Sequence, residues 1–267
     1  MLAIDLSGRR ALVTGGSRGI GAGIVRVLAE AGASVAFTHL GSERGSHAAA
    51  ELVGQLTAGG RNVWRFAAPG EDLPAMQAAV SAAAGQMGGL DILVPNVGMN
   101  WVAPLPDLEL DAWQRALDIN LTSAYIAIKC AYPWLEGAGR GSDEKLGRAD
   151  VVIIGSSGVY DGGGGGIQYA SAKAGLEGMV HGLMREFPRR GIRINMVHPC
   201  VVDTDLLRER YDTEEKRARL AAQVPLGRLA RPEELGSLVA YLCSDLGGFI
   251  CGQSLLVDGG RTMWKQS

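Results

Sequence analysis

The chain has 267 residues, of which 47% are hydrophobic and 20% charged, enough to bury the core of one large α/β domain spanning 1–267. A formal net charge of -2 with a pI near 6.1 offers no basic patch for nucleic acid, so neither a nucleic-acid nor a membrane partner is expected. Cys130, Cys200, Cys243 and Cys251 are scattered without metal-ligand or redox spacing, which reads as reduced packing residues and no metal site.

Met1 to Arg10 leads straight into a strand, with no charged-then-apolar signal region before it and no apolar run of eighteen after it, so a cytoplasmic protein is expected. Strand-like segments are predicted at 10–14, 34–38, 62–67, 91–95, 150–155, 192–198 and 254–257. Between them, amphipathic or Ala-rich stretches predict helices at 19–32, 43–58, 72–88, 111–135, 167–188 and 232–244. Such alternation specifies a doubly wound parallel sheet of seven strands covered by helices on both faces. Two interruptions stand out: a polar, Gly-rich loop at 136–149, and a charged segment at 203–231 that is a candidate substrate lid or, alternatively, a surface helical hairpin without a gating role.

The first strand runs into glycines at 15, 16, 19 and 21 and then into a helical pattern. Glycines let the backbone turn tightly and approach a pyrophosphate, and the N-terminus of the next helix presents N–H groups to its charge. Gly15, Ser17, Arg18, Gly19, Ile20 and Gly21 therefore form a candidate dinucleotide cradle. Later in the chain, Tyr169 and Lys173 stand one helical turn apart, and Ser156 ends a strand thirteen residues before the tyrosine. An ammonium beside a phenol favours the phenolate, and a serine hydroxyl can both donate to and accept from a substrate oxygen. The three residue types together suit proton transfer to or from a carbonyl or alcohol.

With Thr14-Gly15-x-x-x-Gly19-x-Gly21 and Tyr169-x-x-x-Lys173 both present, nearly the whole chain resembles the short-chain dehydrogenase/reductase family. That resemblance implies a Rossmann-type NAD(P)-binding fold and hydride transfer between a nicotinamide and a carbonyl or secondary alcohol. It implies Ser156, Tyr169, Lys173 and Asn120 as catalytic residues, with Ser156 preferred to Ser157 by the family's more common spacing. Lys173 is expected to lower the Tyr169 pKa and to bind the nicotinamide ribose, and Asn120 to relay protons through a water. In Pro95-Asn-Val-Gly98, Asn96 and Gly98 match a cofactor-lining run, whereas Pro95 replaces an asparagine and lacks an N–H. Pro199, Val202 and Thr204 fall in register with residues that hold the nicotinamide carboxamide, and Cys200 stands at a usual glycine. A homotetramer joined near 252–260 is implied as well.

Cofactor choice rests on the second strand, where Val35 to Leu40 carries no acid to bond a ribose 2′-hydroxyl. Arg18, His39, Ser42 and Arg44 offer cationic or hydroxyl partners to a 2′-phosphate, which favours NADP(H), while Glu43 turned inward would suit NAD(H). Phe66 to Gly70 lacks the family's adenine-side aspartate. The glycine run 162–166 leaves a bare pocket wall or a surface turn, with Tyr160, Asp161 and Cys200 as the substrate-side residues. The pattern looks most like 3-oxoacyl-(acyl-carrier-protein) reductases. A carrier-protein partner would call on Lys129, Arg185, Arg189 and Arg190, a sugar or polyol on Asp161, Asn100 and Trp101. A third reading, a dinucleotide-sensing protein without turnover, sits poorly with the presence of both Tyr169 and Lys173.

Overall fold

Ala11, Leu12 and Val13 are completely buried in the first strand, as expected of a strand covered on both faces. The computed structural model describes residues 3–140, 149–162 and 165–263. Most of the predicted 136–149 loop, and Gly163 and Gly164 of the glycine run, lie outside the described residues.

The strands are β1 (Arg10–Val13), β2 (Ser34–His39), β3 (Val63–Ala67), β4 (Ile92–Val94), β5 (Ala149–Ile154), β6 (Ile192–Pro199) and β7 (Ser254–Val257). The helices are α1 (Gly19–Glu30), α2 (Glu43–Ala58), α3 (Leu73–Met87), α4 (Leu110–Leu117), α5 (Ser123–Arg140), α6 (Gly158–Asp161), α7 (Ile167–Leu183), α8 (Asp205–Arg210), α9 (Glu214–Ala221) and α10 (Pro232–Cys243). All seven predicted strands form, in the order β3-β2-β1-β4-β5-β6-β7, and every pairing is parallel. One apolar layer joins α1, α2 and α10 to the sheet, and the other joins α3, α5 and α7. This is the doubly wound Rossmann-type architecture that the alternation predicts.

The order reverses between β1 and β4, so the connections leaving their carboxyl ends part in opposite directions and leave a crevice there. Cations and carboxylates close the opposite, amino-terminal edge. Asp150 on β5 is gripped by Arg9 at 2.8 Å and Arg193 at 2.7 Å, and Arg10 forks onto Asp91.

The predicted 111–135 helix is interrupted by a π-turn over Asp118–Thr122, which separates α4 from α5. The 203–231 segment folds as α8 and α9, and its two ends are joined: Asp203 N–H donates to Ala230 O at 2.8 Å and Ala230 N–H to Val201 O at 3.0 Å. Among the described residues, no helix is long and apolar enough to cross a membrane.

Candidate active site

Between β1 and α1 the chain makes a turn that needs glycine. Gly15 and Gly19 have φ of 65° and 56°, in the left-handed region. At Gly21 a Cβ would collide with the Gly15 carbonyl and stand 2.6 Å from Asn96 Nδ2. Arg18 begins α1 in an extended conformation, and no side chain caps the helix, so its first N–H groups face the crevice available to an anion. A bare glycine surface with uncapped helical N–H groups fits a dinucleotide pyrophosphate.

Asn96 ties this loop to the end of β4. Its Nδ2 donates to Thr14 O and Gly15 O, both at 3.1 Å, while its own N–H donates to Thr14 Oγ1 at 3.0 Å. This pull draws the chain away from β5. Ile154 N–H still reaches Pro95 O at 2.9 Å, so pairing with β5 does not need the N–H that Pro95 lacks. In a continued parallel ladder Val97 N–H would next serve Ile154 O, but it points instead to Thr14 Oγ1 at 3.4 Å. Lys173 Nζ takes that carbonyl, at 3.1 Å. The parting of β4 from β5 thus creates the acceptor that anchors the lysine.

Lys173 is only 3% exposed, and burial holds its ammonium down at about 8. Ser156, just past β5, accepts from Gly158 N–H at 3.1 Å and hydrogen-bonds the Tyr169 hydroxyl. Neighbouring Ser157 is buried, and its backbone is tied to Pro199 O at 2.9 Å. Ser156 is therefore the serine beside the phenol. Burial raises the Tyr169 pKa above its ordinary value, and the Ser156 bond opposes it. The net shift is upward, and the Lys173 ammonium expected to lower this pKa lies 5.9 Å from the ring centroid and bonds Ile154 O. The Tyr169 hydroxyl is protonated at neutral pH, as an ordinary tyrosine's is.

Asn120 lies in the π-turn, 1% exposed. Its Oδ1 accepts from Met99 N–H at 3.0 Å, and its Nδ2 donates to Met99 O at 2.9 Å and Ala116 O at 3.0 Å. The amide latches the backbone after Gly98 and closes the break in the helix. A Cβ on Gly98 would stand 3.2 Å from both Asn120 Oδ1 and Lys173 Nζ, so glycine leaves the lysine open to the cleft.

The remaining cofactor-side residues divide. Ser17 and Ile20 flank the glycine turn, half-buried, and Arg18 is exposed. Thr204 caps α8 by accepting from Leu207 N–H at 3.3 Å, and its methyl faces Gly19. Val202 is buried where the segment ends join. Pro199 ends β6, and Cys200 Sγ accepts from Arg261 Nη1 at 3.4 Å. His39 does not serve as a cation: it is 4% exposed, its Nδ1 accepts from Gly41 N–H at 3.2 Å, and burial, with Arg65 second, lowers its pKa. Ser42 is occupied in capping α2, and Arg44 is paired with Glu209 of α8. Glu43 is exposed in the first turn of α2.

On the substrate side, Tyr160 and Asp161 are exposed on α6, but the Tyr160 hydroxyl donates to Glu177 at 3.0 Å. Trp101 O accepts from Gln168 Nε2 at 2.9 Å, pinning the Asn100–Trp101 loop to the start of α7. The basic residues suggested for a carrier protein do not line the mouth. From Tyr169, α7 runs antiparallel to the strands, so Arg185, Arg189 and Arg190 lie toward the amino-terminal edge, and Arg190 is paired with Glu136. Lys129 contacts Tyr125 on α5 at 3.3 Å. Sequence reasoning passed over His198, Glu177 and Glu209. A single histidine near the end of the buried strand β6 is the one signal that could have drawn notice.

The chain is similar to proteins already known. A family model described as enoyl-(acyl carrier protein) reductase matches residues 15–262. The L-rhamnose 1-dehydrogenase (NAD(P)(+)) of Azotobacter vinelandii is 33% identical, over 97% of this chain and 98% of its own length. The 3-oxoacyl-(acyl-carrier-protein) reductase of Vibrio cholerae is 35% identical, over 97% of this chain and all (100%) of its own. A short chain dehydrogenase from Burkholderia cenocepacia, solved in complex with NADP, superimposes with a TM-score of 0.83 at 35% identity, covering 96% of this chain and 98% of that one.

Proposed function

Since the chain belongs to the short-chain dehydrogenase/reductase family and is an NAD(P)-dependent oxidoreductase acting on a carbonyl or alcohol, we propose that it works as a carbonyl reductase through Ser156, Tyr169 and Lys173. The observation that supports this reading is the meeting of Ser156, half-buried Tyr169 and buried Lys173 at the cleft, with the Tyr169 hydroxyl hydrogen-bonded to Ser156. Ser156 holds the substrate oxygen beside the phenol, which fixes the geometry before any bond changes. A bound nicotinamide supplies the hydride. Tyr169 gives its proton to the oxygen, and the Lys173 ammonium, depressed to about 8, is close enough to neutrality to replace it. Asn120 acts mainly by holding Met99 and the helix break. The relay through a water remains its second role.

NADP(H) is the proposed cofactor. Arg18 at the start of α1 supports it, as does Arg44, which a 2′-phosphate could draw from Glu209; the NADP complex of the Burkholderia relative points the same way. NAD(H) is the alternative, through Glu43. The proposed substrate is a small carbonyl compound with an apolar body, handled as by a 3-oxoacyl reductase, because exposed Met99, Val102, Ile167 and Leu206 flank the cleft. A carrier protein is not part of the proposal. A second reading, sugar or polyol oxidation, draws on the rhamnose dehydrogenase relative.

In this reading the chain is a single cytoplasmic domain with 203–231 as a lid hinged on its joined ends. Free cysteines suit a reducing compartment. It assembles as a homotetramer, and the apolar furrow of Tyr125, Ile128, Met179 and Phe187 between α5 and α7 is a contact face.

Initial rates with NADPH and NADH against a 3-oxoacyl thioester and a diketone, and with aldoses and polyols in the oxidising direction, test the proposal. Turnover of the thioester with NADPH supports it. Preference for a sugar or polyol transfers the substrate assignment to the second reading and leaves the Ser156, Tyr169 and Lys173 roles intact.

A further inference from the structure

Beside the cleft lies a set of polar side chains that the mechanism above does not use. His198, near the end of β6, is completely buried, and it reaches the Ser156 backbone because Gly155 has no side chain: a Cβ there would stand 2.7 Å from His198 Nδ1. That nitrogen lies 2.9 Å from Ser156 O and 3.2 Å from Ser156 N. The other ring nitrogen, Nε2, lies 3.2 Å from Glu177 Oε1 on α7, near enough for a charge contact although out of line for a hydrogen bond. The same carboxylate oxygen accepts the Tyr160 hydroxyl at 3.0 Å, and the Tyr160 ring stands edge-on to the imidazole at 5.3 Å. Glu177 therefore joins α6, α7 and β6 at the point where Ser156 leaves the sheet.

The two protonation states of the ring make different bonds. A neutral imidazole has one N–H, and the carboxylate draws it to Nε2, which leaves Nδ1 as an acceptor for Ser156 N–H. An imidazolium donates from both nitrogens, so Nδ1 turns to Ser156 O and the amide is released. We propose that His198, oriented by Glu177, is a positioning residue for Ser156, and that its protonation selects which Ser156 backbone group it holds and hence where the serine hydroxyl lies. The proposal rests on the reading of Ser156 as the group that holds the substrate oxygen.

The groups facing the imidazole are Glu177 and Lys173 from α7 and Tyr160 from α6; its register partner on β7 is the apolar Leu256. Burial lowers the His198 pKa, Ser156 O and Glu177 raise it, and Lys173 lowers it. The switch belongs below the ordinary imidazole range.

The test follows the Ser156 amide and the His198 ring by NMR from pH 5 to pH 8 in the full-length protein with NADP⁺ added, together with the pH profile of kcat. The Ser156 amide shift is expected to titrate with the ring. In His198→Asn, which can still hydrogen-bond Ser156, the amide shift should be flat and kcat should lose its acid-side inflection, with the KM for NADPH changed less than about twofold. In Glu177→Gln the inflection should move down by about one pH unit as the anion is removed. A Ser156 amide that stays flat while the ring titrates, or kcat profiles identical in all three proteins, overturns the proposal. Ser156→Ala separates the two readings: wild-type kcat in that variant would refute the serine assignment, while amide shifts that still track the ring would leave the His198–Ser156 coupling intact.

Discussion

Replacing Lys173 by Met should make the cofactor-free protein more stable while removing its activity. The ammonium is buried, and its pKa falls from 10.5 to about 8. At pH 7 that difference of 2.5 units corresponds to about 3 kcal/mol of charge burial, and about 1 kcal/mol is recovered by the bond to Ile154 O. Methionine fills the space without a charge, so a net gain of about 2 kcal/mol is expected at neutral pH. A cation whose folded pKa is depressed binds fewer protons folded than unfolded between pH 8 and 10.5, so wild-type stability should rise with pH through that window. The gap between variant and wild type should accordingly close as pH rises from 7 toward 10. Urea unfolding of both proteins at pH 7 and about pH 9.5 measures the gap, and initial rates should fall at least about 100-fold. A variant less stable than wild type at pH 7, with a gap that does not change with pH, would refute the reasoning.

Gly21→Ala places a methyl against Gly15 O and Asn96, so the KM for either dinucleotide should rise more than about tenfold with little change in the far-ultraviolet spectrum. Arg18→Ala should raise the KM for NADPH more than that for NADH, and Glu209→Gln, by releasing Arg44, should lower the NADPH value about threefold; equal changes for both cofactors in steady-state assays would contradict the 2′-phosphate assignment. Asn120→Ala leaves three backbone groups without their partner and should cost about 3 kcal/mol in urea unfolding. Activity lost without loss of stability would instead favour the water relay as its main role. Tyr169→Phe should abolish reduction while dinucleotide binding, followed by fluorescence quenching, persists.

The sheet was legible in the sequence because a parallel strand buried on both faces is a nearly continuous apolar run, and β4, with Ile92, Leu93 and Val94 all buried, is the plainest case. The glycine cradle was legible for a related reason, since a positive φ at Gly15 and Gly19 restricts the residue type locally. What depends on separate elements meeting was not. Nothing near Lys173 in the sequence tells that β4 swings toward Thr14 and vacates Ile154 O, so the lysine was expected to act on the tyrosine when its nearest partner is the strand carbonyl. His39 was counted as a cation because its place after the second strand is visible, whereas its burial among sheet neighbours is not. Arg44 could not be seen to face Glu209, which lies 165 positions away. In each case the residue type was read correctly and its surroundings were not, because burial and the partner that tertiary folding supplies decide what a charged side chain is free to do. For this site, then, the types of Ser156, Tyr169 and Lys173 were visible in the sequence, but the half-burial of Tyr169 and the full burial of Lys173, which shift both pKa values, became visible only in the fold.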